Sequence, residues 1–119
     1  MLEIDMLKKN FNTPKNKVVY IPHGIPDLPF VDSNYYKDQF DLAGKTIIFT
    51  FGLLGPGKGI EYMIQAMPKI IEKYPDMVYI VLGVIHPDIL KTHGEEYRLR
   101  LLRQIKELGL TMHVQLHDK

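Results

Sequence analysis

The stretch that decides the fold runs from Phe49 to Glu61, FTFGLLGPGKGIE, where an apolar run breaks into glycines, a proline and a lysine before helical spacing takes over. On its N-terminal side Thr46–Phe51 (TIIFTF) is short, β-branched and aromatic, the composition of a strand buried on both faces of a parallel sheet. On its C-terminal side Ile60, Met63, Ile64, Met67, Ile70, Ile71 and Tyr74 recur at i, i+3, i+4 and i+7, while Glu61, Gln65, Lys69, Glu72 and Lys73 fall opposite them. That spacing predicts an amphipathic helix from Ile60 to Tyr74, with Pro68 inside it. A glycine-rich loop between a strand and a helix has a physical use: Gly52, Gly55, Gly57 and Gly59 permit tight turns and close approach of a ligand. The helix that follows turns its unpaired N–H groups and positive dipole end toward the same place. Lys58 adds a full, mobile positive charge. A plain βα turn with an exposed lysine is the alternative, and so dense a set of glycines weighs against it.

Outward from this core the chain alternates. Val18–Ile21 reads as a strand, and Pro22–Asp32 as a linker stiffened by Pro22, Pro26 and Pro29. Ser33 is a candidate N-cap for a short helix through Phe40, closed by Gly44. After the Ile60 helix come a strand at Met77–Leu82, a loop from Gly83 to Gly94, a helix from Glu95 to Leu108 capped by Gly109, and a strand at His113–Leu116. The N-terminal MLEIDMLKKNF suits a short amphipathic helix through Leu2, Met6 and Leu7. The pattern predicts an α/β fold, a Rossmann-like parallel sheet with flanking helices and right-handed crossovers. Residues 1–32 read as a strand and linker, and residues 33–119 as a partial Rossmann-like domain.

Composition excludes several function classes. The chain has 119 residues, a net charge of +1 and no cysteine. Charge so near balance gives no case for nucleic acid or a lipid surface as partner, and the missing thiols exclude disulfides and cysteine-bound zinc while suiting a cytoplasmic location. The longest apolar run, Met77–Ile85, falls well short of the roughly 20 residues that span a bilayer. His113 and His117 share a strand face but lie roughly 13 Å apart by strand rise, too far for one zinc. His86 and His93 read as loop residues. No Asp-x-Asp pair exists, and no metal is expected.

Two phosphate-binding patterns touch the loop. Gly52, Gly57 and Lys58 satisfy G-x-x-x-x-G-K, but Gly59 stands where a P-loop enzyme needs the hydroxyl that holds magnesium. The strand Met77–Leu82 ends without an acidic residue to complete such a site. G-x-G-x-x-G fails on spacing. One irregularity lies in the last helix, where Arg98 falls within the apolar face of Leu101, Leu102, Ile105 and Leu108. Either its stem packs on the core while its head pairs with water or a carboxylate such as Glu95, or it reaches a ligand at the sheet edge.

Taken in order, KVVYIPHGIPD (17–27), IIFTFGLLGPGKGIEYMIQAMPKI (47–70), YPDMVYIVLG (74–83) and the helix ending KELGL (106–110) before HVQLHD resemble the nucleotide-sugar half of a retaining glycosyltransferase of the GT-B fold, family four. The resemblance runs from about Val18 to Leu116. It implies that Gly52, Gly57, Lys58 and Gly59 bind the diphosphate of a nucleotide sugar, and that no metal or other cofactor is needed. It makes His23, Gly24, Gly83 and Arg98 candidates for donor or interlobe contacts. The family's phosphate-clamping arginine after the first glycine is replaced here by Leu53. The paired glutamates and the acceptor lobe that such enzymes carry have no counterpart in these residues. No catalytic residue is therefore expected within them, and the chain reads as a partial domain, inactive alone and prone to self-association. The acceptor stays open. The competing readings are a P-loop-like nucleotide-binding protein and a non-catalytic binding module.

Overall fold

The computed structural model describes residues 2–118. The chain divides into two compact units, Met1–Val31 and Asp32–Lys119. In the first, helix α1 (Leu2–Phe11) ends at Asn12, which takes a left-handed φ of 49°, and the Thr13 hydroxyl donates to the Leu7 carbonyl at 3.2 Å. The strand expected at Val18–Ile21 does not form, and Val19 and Ile21 are about four-fifths exposed. A β-branched run becomes a strand only when a neighbouring strand takes its N–H and C=O groups, and the described residues of this unit contain none.

The second unit begins with helix α2 (Ser33–Gln39). Its N-cap is Asp32 rather than the expected Ser33: the Asn34 N–H donates to Asp32 Oδ1 at 2.9 Å. It stops at the C-cap Phe40, short of Gly44, because Asp41 already turns left-handed with φ 56°. There follow β1 (Thr46–Phe51), α3 (Ile60–Lys73), β2 (Met77–Leu82), α4 (Pro87–His93), α5 (Glu96–Glu107) and β3 (Val114–His117). The three strands form one parallel sheet in the order β1-β2-β3, with Thr46 opposite Met77 and Tyr79 opposite Val114. Helix α4 replaces part of the expected Gly83–Gly94 loop. Its signals were Pro87 in its first turn, Asp88 beside it and Gly94 at its end, and the His86 ring takes the capping role, Nδ1 accepting the Asp88 N–H at 3.2 Å.

Strand alternation sorts the sheet into two unlike faces. Ile48, Thr50, Tyr79, Val81, Val114 and Leu116 face the core with Ile60, Ile64 and Met67 of α3 and Tyr97, Leu101 and Ile105 of α5. Inside that core the Tyr79 hydroxyl lies 3.0 Å from Thr50 Oγ1. The opposite face corrects the expectation that β1 is buried on both sides: Phe49 is 56% and Phe51 73% exposed. Helices α3 and α5 cover the same face, and β1 is an edge strand. The uncovered face, with Phe40 and Leu42 beside it, lines a concavity of about 370 Å³.

Where β1 and β2 end, two glycines meet. The Gly52 N–H donates to the Leu82 carbonyl at 3.1 Å, the Gly83 N–H to the His117 carbonyl at 2.9 Å, and the Leu54 N–H to the Val84 carbonyl at 2.8 Å. Parallel pairing resumes at Leu54 and Ile85. A Cβ on Gly83 would lie 1.8 Å from the Gly52 carbonyl oxygen and 2.9 Å from its carbon. Backbone stands on both sides of that contact, so neither side can yield cheaply.

Gly83→Ala is expected to cost about 3 kcal/mol or more, read as a lowered urea midpoint, whereas Gly24→Ala, whose Cβ meets nothing within 4 Å, should change stability by less than about 0.5 kcal/mol. Equal midpoints for the two variants would contradict the packing described.

The tyrosines give a second test. Five of the seven (Tyr20, Tyr35, Tyr36, Tyr62 and Tyr74) are more than half exposed, while Tyr79 and Tyr97 are 1% and 4% exposed. Burial pushes the Tyr79 hydroxyl above its ordinary value, opposed in part by the hydrogen bond with Thr50. Burial raises Tyr97 further, and its hydrogen bond to the Glu61 carboxylate adds to the shift. Both phenols resist ionisation when folded and ionise normally when unfolded. Their contribution to stability is therefore intact below the ordinary tyrosine value of about 10 and is lost as pH rises above it. The tyrosinate absorbance of the two buried phenols should appear only as helical circular dichroism disappears. Seven ionisations in one step with the helices intact would refute this.

Candidate functional site

The loop from Gly52 to Gly59 is anchored at its base and open at its rim. At the base Leu54 is 1% exposed, and its carbonyl accepts the His86 N–H at 2.8 Å, tying the loop to the start of α4. Gly55 is buried against Ile89, whose Cδ1 lies 2.5 Å from where a Cβ would stand. The chain then turns: the Lys58 N–H donates to the Gly55 carbonyl at 3.3 Å, with Gly57 at φ 89° and Gly59 at φ 75°. These left-handed conformations are the reason for glycine at both positions.

Gly59 is the N-cap of α3 and supplies no side chain to satisfy the helix. Its carbonyl accepts the Met63 N–H at 3.2 Å. The N–H groups of Gly57, Gly59, Ile60 and Glu61 have no acceptor among the described residues. Unpaired donors at the N-terminus of a 14-residue helix carry the positive end of its dipole. Lys58 is exposed beside them and makes no ion pair among the described residues. The arrangement can hold an anion whose oxygens accept several N–H donors at once. Leu53, 43% exposed, puts an apolar side chain next to Gly52.

The other candidate residues are placed differently. Gly83 packs on Gly52 at the loop's base, which accounts for its lack of a side chain. Arg98 is engaged by the chain's own groups, as the first of its two readings expects: its guanidinium pairs with a carboxylate, that of Asp118 rather than Glu95, and Nη2 lies 3.5 Å from the Leu116 carbonyl oxygen. The head finds a carboxylate just beyond β3, and its side chain is only 15% exposed. Among the described residues no hydrogen bond joins Arg98 to the loop. His23 and Gly24 belong to the Met1–Val31 unit, where His23 is exposed with Nδ1 3.3 Å from the Gly24 carbonyl oxygen. His86 and His93 sit at the two ends of α4. Among the described residues no group of three His, Cys, Asp or Glu side chains could hold a metal ion.

Two contacts escaped the sequence. The Tyr97 hydroxyl donates to Glu61 Oε2 at 2.8 Å, and Gln104 Nε2 donates to the Glu61 carbonyl at 3.0 Å, fastening the first turn of α3 to α5. Helical spacing places Tyr97 on the buried face but says nothing of a partner 36 residues away. A second concavity, about 450 Å³, lies between Pro56, α4 and α5, lined by Ile89, Thr92, His93 and Arg100 among others. Neither concavity includes Lys58 or the donor N–H groups, which stand on an open rim.

Known proteins resemble the chain in the same region. The phosphatidyl-myo-inositol mannosyltransferase of Mycobacterium tuberculosis is 30% identical over 95 residues, covering 76% of this chain and 24% of that protein. The uncharacterized glycosyltransferase MJ1607 of Methanocaldococcus jannaschii is 38% identical over 72 residues, 54% of this chain and 18% of its own length. Among solved structures, Anabaena Alr3699/HepE in complex with UDP-glucose superposes with a TM-score of 0.55 at 22% identity, over 75% of this chain and 23% of that one. That likeness establishes the fold, a parallel sheet with flanking helices like that of a GT-B glycosyltransferase domain. The chain spans about a quarter of the length of the mannosyltransferase. Residues 33–119, from α2 through the glycine loop to β3, match the glycosyl transferases group 1, and the chain belongs to that family.

Proposed function

We propose that this chain is part of the donor-binding lobe of a retaining glycosyltransferase, and that residues 33–119 hold the diphosphate of a nucleotide sugar. The observation that carries the reading is the cluster of unpaired N–H groups at Gly57, Gly59, Ile60 and Glu61, with exposed Lys58 beside them, at the carboxyl end of β1 in a member of this family. The neighbour crystallised with UDP-glucose supports a nucleotide sugar as donor. As the bond between sugar and diphosphate breaks, negative charge grows on the leaving group. The α3 dipole and its N–H groups stabilise it with fixed donors and Lys58 adds a full positive charge, the part a metal plays in other transferases. An acceptor hydroxyl takes the sugar with retention at the anomeric carbon. The 119 residues bind donor without completing transfer, and the parent enzyme works in the cytoplasm. Among the described residues no helix is long and apolar enough to cross a membrane.

A second reading, a non-catalytic binding module that keeps the fold and has lost the donor site, is favoured by Leu53, and a flat response to every nucleotide would support it. Its exposed apolar side chain stands where the resemblance places an arginine, which leaves Lys58 the principal cation of the loop.

Isothermal titration of the chain with UDP, GDP and magnesium ATP tests both. Binding of a nucleoside diphosphate in preference to magnesium ATP is expected. Lys58→Ala should weaken it by about 1.5–3 kcal/mol, roughly tenfold to a hundredfold, with an unchanged unfolding midpoint because Lys58 is exposed. Equal affinity in variant and wild type would remove Lys58 from the site.

A further inference from the structure

The first turn of α3 carries an acidic side chain beside the donor cluster. Glu61 is the second residue of the helix and the only acidic residue of its first turn. An anion so placed ordinarily gains by turning onto the helix's own N–H groups and dipole. Those are the groups a diphosphate needs. Here the carboxylate is turned elsewhere: Oε2 accepts the Tyr97 hydroxyl at 2.8 Å, while the Glu61 carbonyl accepts Gln104 Nε2–H at 3.0 Å. Tyr97 is itself immobilised, 4% exposed on α5 with the Arg100 guanidinium 5.4 Å from its ring centroid.

We infer that Tyr97 is a positioning residue for the donor diphosphate: its hydroxyl holds the Glu61 carboxylate off the N–H groups at the start of α3 and so keeps them available to phosphate. The inference rests on the donor-binding reading above and deepens it. Without the hydroxyl, the carboxylate occupies or repels the anion site from within the same helical turn. A purely structural tie between α3 and α5 makes a different prediction. It loses stability when the hydroxyl is removed, and neutralising Glu61 afterwards restores nothing.

Four proteins separate the two: wild type, Tyr97→Phe, Glu61→Gln and the double variant, each titrated with UDP and with GDP at low and high salt, with unfolding midpoints measured alongside. Phenylalanine keeps the buried ring and its contact with Arg100. Tyr97→Phe should weaken the better-bound nucleotide about threefold to tenfold at low salt, and less at high salt as the charge is screened. Glu61→Gln should bind at least as well as wild type, and the double variant should fall within about twofold of Glu61→Gln, the mark of two coupled residues. A Tyr97→Phe variant that binds like wild type, or a double variant as weak as Tyr97→Phe, overturns the positioning role and leaves donor binding standing. A wild type that binds neither nucleotide overturns both.

Discussion

The rest of the molecule depends on one close approach, that of the Gly52 and Gly83 backbones at the carboxyl ends of β1 and β2. With 1.8 Å between a would-be Cβ and a carbonyl oxygen, the two chains sit nearer than any side chain permits. That contact allows parallel pairing to continue past the strand ends to Leu54 and Ile85. Leu54 in turn fixes the base of the glycine loop and, through its carbonyl, the entry to α4. The direction in which α3 begins, and so the aim of its N-terminal donors, follows from backbone packing set before any ligand arrives.

The elements that β-branched runs and 3.6-residue spacing describe well were readable: β1 and β2 begin and end where TIIFTF and MVYIVL begin and end, and α3 stops one residue before Tyr74. The errors have physical causes. Val18–Ile21 has strand composition but no partner among the described residues of its unit, and composition cannot supply one. The first turn of α2 is capped by Asp32 because a carboxylate one residue earlier reaches the Asn34 N–H. Helix α4 is too short to show a period, so only its Pro87 and Gly94 punctuation announced it. The burial of β1 was misjudged because an apolar run is the same whether one face of a sheet is covered or both.

The candidate site divides the same way. Gly57, Lys58 and Gly59 were recognisable because special backbone conformation and an isolated charge leave marks in local sequence. The long-range side-chain contacts leave none. The bond from Tyr97 to Glu61 joins residues 36 positions apart, and the pairing of Arg98 with Asp118 spans 20. An arginine on an apolar face announces that it needs a partner but does not name one. Only tertiary packing shows that the guanidinium is taken by the residue following the end of β3.

The uneven hydrogen bonding of the loop has a consequence for the thermodynamics of recognition. The amides of Gly52, Leu54 and His86 are bonded into the sheet extension, whereas those of Gly57, Gly59 and Ile60 have no acceptor among the described residues. The base therefore opens only when the sheet opens, as part of one cooperative unit, while the rim meets solvent without any opening event. An anion arriving at the rim finds donors held in place from below and displaces water rather than ordering chain. On the donor-binding reading proposed above, association would then cost little conformational entropy, because the amides at the rim are held from below rather than gathered by closure of a segment around the guest.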